Sequence, residues 1–131
     1  GKKIPVYGNG KNIRDWIFVN DHCEAILKIL ENGKSQNSYN ISAHNNMDNI
    51  TIVEKILTSM NRSLDLIEFV DDRPGHDLRY SLNSSKIRNE LNWSESRTFE
   101  DGLQDTINWY LDNDWSKDVP SDVFNPTPWK N

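Results

Sequence analysis

The sequence predicts a small α+β domain in which short strands and helices are mixed. Three observations support this class. Runs rich in β-branched and aromatic residues alternate with segments of helical periodicity, each strand-like run is short, and the order of elements along the chain is irregular. A length of 131 residues suits one domain with a single core.

The first third of the chain favours two strands and one helix. Residues 4–7 are typical of an edge strand, since Pro5 cannot donate to a central ladder. Residues 13–19 combine β-branched and aromatic side chains and predict a second strand, with a turn over 8–12 between the two. The next helix should be capped by Asn20 or Asp21 and should bury four residues in one stripe: Ala25, Ile26, Ile29 and Leu30. Cys23 on this helix is interpreted as a small core residue.

The remainder alternates in the same way. We expect a brief strand over 39–41, a polar loop over 44–48, and a helix opened by a capping box formed by Thr51 and Glu54. A strand over 66–70, a charged loop over 71–77, a short helix from Ser84 or Ser85, and a final helix opened by Thr98 and Asp101 complete the domain, 1–114. Three prolines after Trp115 predict an irregular tail over 115–131, in which Phe124 and Trp129 could act as anchors.

Composition excludes several classes of function. The formal charge of −5 disfavours bulk electrostatic binding to nucleic acid. No apolar run approaches the roughly 20 residues needed to cross a bilayer, so no membrane partner is expected. A single cysteine cannot form an internal disulfide, which favours a reducing, cytoplasmic setting.

Several catalytic signatures are missing. The chain has no G-x-G-x-x-G motif, no Walker A motif, no nucleophile elbow and no His/Cys spacing typical of a metal site. Tyr7 and Lys11 match a dehydrogenase Tyr-x-x-x-Lys spacing, but two glycines between them predict a turn and not the required helix.

Two arginines stand out as candidates for binding an anion. Arg14 lies in the second predicted strand beside apolar residues, where its planar fork could hold a phosphate. Arg73 lies in the loop DRPGHD at 72–77, directly after a strand, where α/β proteins tend to place ligand loops. His76 in the same loop could donate a hydrogen bond or stack on a planar ring. The alternatives are a surface arginine paired with a carboxylate and an ordinary β-turn with solvated charges.

Two further elements could complete such a site. The Asn49 amide could bond a ligand hydroxyl or phosphate, although an asparagine at this position is also a good helix cap. Pro5, Val6 and Tyr7 form an extended segment that offers backbone groups and one aromatic face to a base, or they form an ordinary edge strand. Together these residues suit a diphosphate that carries a planar base and a hydroxylated sugar.

The residues just described resemble the C-terminal part of the dTDP-glucose 4,6-dehydratases, which belong to the extended short-chain dehydrogenases. The resemblance rests on PVYGNGKNIRDWIFVNDH at 5–22, YNI at 39–41, DRPGHD-x-RY at 72–80, FEDGL at 99–103 and WYL at 109–111. It covers about residues 4–112. The 72–77 loop is fairly specific for nucleotide-hexose 4,6-dehydratases, whereas Arg14-Asp15-Trp16 is shared more widely among enzymes that modify sugar nucleotides.

This resemblance implies an NAD-dependent lyase that removes water from dTDP-glucose and gives a 4-keto-6-deoxy sugar nucleotide for deoxysugar biosynthesis. It implies that Pro5, Val6 and Tyr7 line the base, and that Arg14 and Arg73 contact the diphosphate or nucleoside. Asn49 and His76 would help to hold the nucleotide, and Asp72 would orient Arg73.

The family's Gly-rich NAD loop, its Tyr-x-x-x-Lys pair and its acid/base carboxylates precede the matching segment and are not in this sequence. The chain is therefore expected to be the substrate-binding domain with the Rossmann part absent, to contain no catalytic residue, and to be inactive and monomeric alone. The complete enzyme would be a homodimer. Two alternatives remain. The chain could be the same lobe of a UDP-glucose 4,6-dehydratase or of a sugar-nucleotide epimerase, decarboxylase or reductase, or it could be a free-standing nucleotide-binding module.

Overall fold

A computed structural model describes residues 2–120. The strands are β1 (Ile4–Tyr7), β2 (Ile13–Asp15), β3 (Asn46–Asp48) and β4 (Ile67–Val70). The helices are α1 (Val19–Asn32), α2 (Asn49–Ser59), α3 (Ser85–Leu91) and α4 (Phe99–Asp112), with 3₁₀ turns at Leu64–Leu66 and Trp115–Asp118. The mixed α/β class is confirmed.

Two small sheets form the framework. β1 pairs with β4 in parallel, with Tyr7 opposite Val70, whereas β2 pairs with β3 in antiparallel fashion, with Arg14 opposite Met47. Parallel strands end at the same edge of a sheet, so the turn after β1 and the loop after β4 begin side by side. The fold thereby brings together two segments that are more than sixty residues apart in sequence.

The core lies between α1 and α3. Ala25, Ile87 and Trp93 are almost fully buried there, and Ile29 and Leu91 pack partly against them. Asp21 is also buried, and it accepts hydrogen bonds from the Ser96 backbone N–H (2.9 Å) and hydroxyl (2.6 Å). A buried carboxylate satisfied in this way links the start of α1 to the segment that precedes α4.

The predicted face of α1 is partly wrong. Ala25 and Ile29 face the core, but Ile26 and Leu30 are exposed. Cys23, interpreted above as a core residue, is also exposed. The buried stripe follows positions 21, 25 and 29, and a residue two positions after Asp21 points to the opposite side of a helix.

Of three predicted helix caps, the structure confirms one and shows that two are wrong. α1 begins at Val19, its N-cap Phe18 makes no side-chain capping bond, and neither Asn20 nor Asp21 caps it. The capping box predicted for Thr51 and Glu54 is also wrong, since Asp48 caps α2 and accepts a hydrogen bond from the Thr51 backbone N–H at 3.0 Å. Thr98 is confirmed as the cap of α4, since its hydroxyl accepts the Asp101 N–H and donates to the Asp101 carboxylate.

Three strand predictions also change. The second strand is shorter than the expected 13–19, and residues 39–41 do not form a strand. The expected polar loop over 44–48 instead contains β3. The sequence of β3 is polar, but this segment forms a strand because it pairs with β2. In the tail predicted over 115–131, the first residues form a 3₁₀ turn, while Phe124 and Trp129 lie outside the described residues.

Asp48 provides a test of the α2 cap. Asp48→Ala should lower the free energy of unfolding by about 1 kcal/mol, measured by urea denaturation at pH 7. Asp48→Asn keeps a capping oxygen and should cost only a few tenths of that. Hydrogen bonds from Thr51 and Lys11 lower the pKa of Asp48. Its contribution is therefore present at neutral pH and should fade as pH falls through the lowered value. Equal losses in the two variants would contradict the cap assignment.

Candidate nucleotide-diphosphate site

The segment over residues 7–14 connects every part of the predicted site. The Gly8 N–H donates to the Val70 carbonyl (2.9 Å), which extends the β1–β4 pairing into the turn. The Ile50 N–H at the start of α2 donates to the Gly10 carbonyl (3.0 Å), and the Asn49 N–H donates to that of Asn12 (3.1 Å). The ends of β1 and β4 and the start of α2 therefore meet at one turn.

The segment that follows the 72–77 loop is bound along β2. The Ile13 N–H donates to the Leu78 carbonyl (2.7 Å), and the Tyr80 N–H donates to the Ile13 carbonyl (3.0 Å). The Asp77 carbonyl accepts from the side chains of Asn12 (3.2 Å) and Arg14 (3.1 Å). These four bonds fix the C-terminal side of a loop that is otherwise mostly exposed.

Arg14 is held in place by its own neighbourhood. Its guanidinium donates to the Ile13 carbonyl (2.7 Å) and the Asp77 carbonyl, and its Cζ lies 4.5 Å from the centre of the Tyr80 ring. Stacking on an aromatic face and two fixed hydrogen bonds orient the guanidinium. Five N–H groups are available on an arginine, so donors remain for an anionic ligand.

Asp15 faces a different segment. Its carboxylate accepts from the Ser42 hydroxyl and from the backbone N–H groups of His44 (3.1 Å) and Asn45 (3.2 Å). Arg14 thus holds the 77–80 segment, while Asp15 holds the 42–45 segment on the other side of β2, as alternation along a strand predicts.

Arg73 lies in the loop whose C-terminal side is bonded to Arg14 through the Asp77 carbonyl. The Tyr80 pKa is raised because its hydroxyl donates to the Asp77 carboxylate. Asp77 and Tyr80, which follow Arg73 along the chain, therefore both contact other groups of the Arg14 region. Arg73 is exposed, so a ligand can reach its guanidinium.

His76 and Asp72 form a close pair at the end of β1. His76 Nδ1 is 2.6 Å from Asp72 Oδ1, and the His76 side chain is only 5% exposed. The Tyr7 ring meets the His76 ring edge-on at 6.3 Å. Asp72 Oδ1 also accepts the Arg73 backbone N–H (2.9 Å). The expected partnership of Asp72 with Arg73 therefore involves the arginine's backbone, while its side-chain partner is His76.

The remaining predicted residues differ in what they can offer. The Val6 side chain is buried, so only its backbone could face a ligand, whereas Pro5 is exposed. The Asn49 side chain is half-buried at the first position of α2 and makes no hydrogen bond with the described residues. Its amide is thus available near the 10–12 turn.

The cavities among the described residues include few of the predicted site residues in their lining. A cavity lies beside Arg14 and Tyr80, with Ile17, Ile41 and Leu82 among its lining residues, but Arg73 is not among them. A second cavity lies between Phe18 and α4 and is lined by none of the predicted site residues. The arginine cluster is therefore an open surface on this chain and not an enclosed pocket.

Sequence reasoning missed three supporting residues. Asn12 and Asp77 fasten the loop to β2, and Tyr80 supports Arg14. All three lie inside the quoted motifs. A sequence does not show, however, that the side chains of Asn12 and Arg14 will both donate to the Asp77 main-chain carbonyl. A buried asparagine such as Asn12 is the kind of residue that structure alone identifies as a linker.

The chain matches a known protein family and curated relatives. The family model described as GDP-mannose 4,6 dehydratase matches residues 1–106. The chain belongs to this family. A dTDP-glucose 4,6-dehydratase from Neisseria meningitidis is 45% identical over 124 residues, which cover 86% of this chain and 35% of that protein. The chain thus spans about a third of the length of such relatives, and the resemblance to dTDP-glucose 4,6-dehydratases is confirmed.

Two solved structures share the fold of this chain. A dTDP-glucose 4,6-dehydratase from Bacillus anthracis in complex with NAD is 46% identical, with a TM-score of 0.81 over 86% of this chain and 35% of the other. A UDP-glucose 4-epimerase from Bifidobacterium longum is 21% identical, with a TM-score of 0.76 over 86% of this chain and 36% of the other. At that identity the epimerase shows the common fold alone.

Two features are absent from residues 2–120. No group of three or more His, Cys, Asp or Glu side chains could hold a metal ion there. No helix in the same range is both long and apolar enough to cross a membrane.

Gly8 and Gly75 form a matched pair for testing the site geometry. Both have positive φ values (57° and 68°), so alanine at either should cost roughly 1–2 kcal/mol of backbone strain. A Cβ at Gly8 would lie 2.9 Å from Asp72 Oδ2, whereas none at Gly75 would meet an atom within 4 Å. Gly8→Ala should therefore lower the free energy of unfolding more than Gly75→Ala, because its Cβ must also displace the Asp72 carboxylate. Urea denaturation measures both variants, and equal losses would contradict the packing of Asp72 on Gly8.

Proposed function

We propose that residues 1–114 form the nucleotide-sugar-binding lobe of a dTDP-glucose 4,6-dehydratase whose remaining residues lie outside this sequence. The observation that carries the proposal is that the segment following Arg73 is bonded to the strand that holds Arg14, through the Asp77 carbonyl and the Tyr80 ring. Two guanidinium groups on one surface of an acidic chain suit a diphosphate, because each can bind phosphate oxygens with a planar fork.

The other groups suit the rest of a sugar nucleotide. Tyr7 supplies an aromatic ring at the end of β1, next to the nearly buried His76. β1 pairs with β4 along one edge among the described residues, so backbone groups on its other edge could meet a base. The unpaired amide of Asn49 could bond a hydroxyl or a phosphate.

The described residues do not fit a dinucleotide cofactor. The glycine-containing turn over 8–10 leads into β2, whereas a dinucleotide site needs the N-terminus of a helix at the pyrophosphate. In the proposed enzyme, NAD and the reacting groups therefore belong to an N-terminal Rossmann domain, and this lobe binds and orients the substrate. The complete enzyme would form the homodimer, with the lobe alone a monomer.

The dehydratase is favoured over the epimerase, decarboxylase and reductase alternatives. Relatives at 45% and 46% identity are dTDP-glucose 4,6-dehydratases, while the similar epimerase is at 21%. Thymine is favoured over uracil by the same relatives.

The isolated chain should have no dehydratase activity. Its described residues, 2–120, do not fit a dinucleotide cofactor, so incubation of the pure chain with dTDP-glucose and NAD should give no 4-keto-6-deoxy product by chromatography. The enzyme that joins the chain to an N-terminal domain should form that product. Turnover by the chain alone would show that the reacting groups lie within these residues.

Arg73→Ala in the complete enzyme should weaken dTDP-glucose binding by about 1.5–3 kcal/mol, or roughly 10- to 150-fold, because it removes a charge-assisted hydrogen bond. Arg62→Ala is the matched control. Arg62 is an exposed arginine that follows the C-terminal end of α2, about 16 Å along that helix from Asn49. Calorimetric titration would measure both. Equal affinity of Arg73→Ala and wild type would contradict the proposed site.

A further inference from the structure

The pairing of His76 with Asp72 determines more than the position of the ring. A neutral imidazole carries its proton on one nitrogen only, and the hydrogen bond at one nitrogen decides the state of the other. His76 Nδ1 lies 2.6 Å from Asp72 Oδ1, while Nε2 has no hydrogen-bond partner among residues 2–120. The chemistry that His76 offers a ligand therefore depends on Asp72.

The Asp72 carboxylate is itself fixed from both sides. Its Oδ1 accepts the Arg73 backbone N–H at 2.9 Å, and the carboxylate packs against Gly8, where a Cβ would lie 2.9 Å from Oδ2. The hydrogen bond from His76 is the main cause that lowers the pKa of Asp72. An ionised carboxylate is an acceptor only, so the shared proton lies on the His76 nitrogen.

Burial restricts the ring as well. The His76 side chain is 5% exposed and lies edge-on to Tyr7, whereas Asp72 is 46% exposed. A ring packed in this way cannot easily turn over to exchange its two nitrogens.

We infer that Asp72 is a positioning residue that holds His76 as the Nδ1–H tautomer, so that Nε2 accepts a hydrogen bond from an O–H or N–H group of the bound sugar nucleotide. This inference rests on the proposed function for the identity of the ligand. It divides the work within the site: the arginines bind the phosphates, and His76 binds a neutral donor group. A histidine that donated to phosphate would need its proton on Nε2.

The tautomer can be measured on the 131-residue chain without ligand. Long-range ¹H–¹⁵N spectra at pH 8, where an unperturbed imidazole is mostly neutral, should show a protonated Nδ1 and an unprotonated Nε2 for His76. Asp72→Ala should move protonation toward Nε2, and Asp72→Asn should do so with less change in packing. A protonated Nε2 in the wild-type chain, or an unchanged tautomer in both variants, would overturn the inference.

A second set of titrations identifies the donor group. His76→Phe keeps a ring against Tyr7 but removes both nitrogens, and it should weaken binding roughly three- to tenfold, as should Asp72→Ala. If the variants bind dTDP more weakly than wild type, the group that donates to Nε2 lies on the nucleoside. If only dTDP-glucose binding is weakened, that group lies on the hexose. Full affinity of His76→Phe for both would overturn the inference. If the wild-type chain and the complete enzyme bind neither compound, the proposed function fails, while the tautomer measurement still decides the role of Asp72.

Discussion

The Asp77 main-chain carbonyl, held by Asn12 and Arg14, is the contact on which the site depends. Together with the backbone bonds of Ile13 to Leu78 and Tyr80, it attaches residues 77–80 to β2. The parallel pairing of β1 with β4 holds the other end of the loop beside Gly8. The charged loop over 72–77 is mostly exposed, yet it has a fixed position, because both of its ends are bonded to residues 7–14.

Acidic residues have a structural role around this basic surface. The chain has a net charge of −5, yet Arg14 and Arg73 can serve an anion because the carboxylates nearby are engaged. Asp72 bonds His76 and the Arg73 backbone, and Asp77 accepts from the Tyr80 hydroxyl. Tyr80 in turn lies under Arg14. Each carboxylate therefore orients a side chain of the site, and the electrostatic preference for a diphosphate is local rather than a property of the whole chain.

Local patterns predicted those parts of the molecule that depend on local interactions. The strand of Ile4–Tyr7, the helix capped by Thr98 and the turn over 8–10 follow from propensity, capping and glycine content. The sequence could not predict β3, a polar segment that is a strand only because β2 lies beside it, nor the buried stripe of α1 that includes Asp21. Within the site, Arg14, Arg73 and His76 stood out by residue type, but Asn12 and the Asp72–His76 pairing depend on contacts between distant segments.

The central claim is that Arg14 and Arg73 share one surface that binds a nucleotide diphosphate. The most direct test is a ¹H–¹⁵N titration of the labelled chain with dTDP at millimolar concentration. We expect the amides of residues 6–14 and 72–80 to shift together with one dissociation constant, while those of the core around Ala25 and Ile87 stay in place. Shifts confined to another surface, such as the exposed aromatic residues at the end of α4, or two dissociation constants for the two arginine segments, would contradict it.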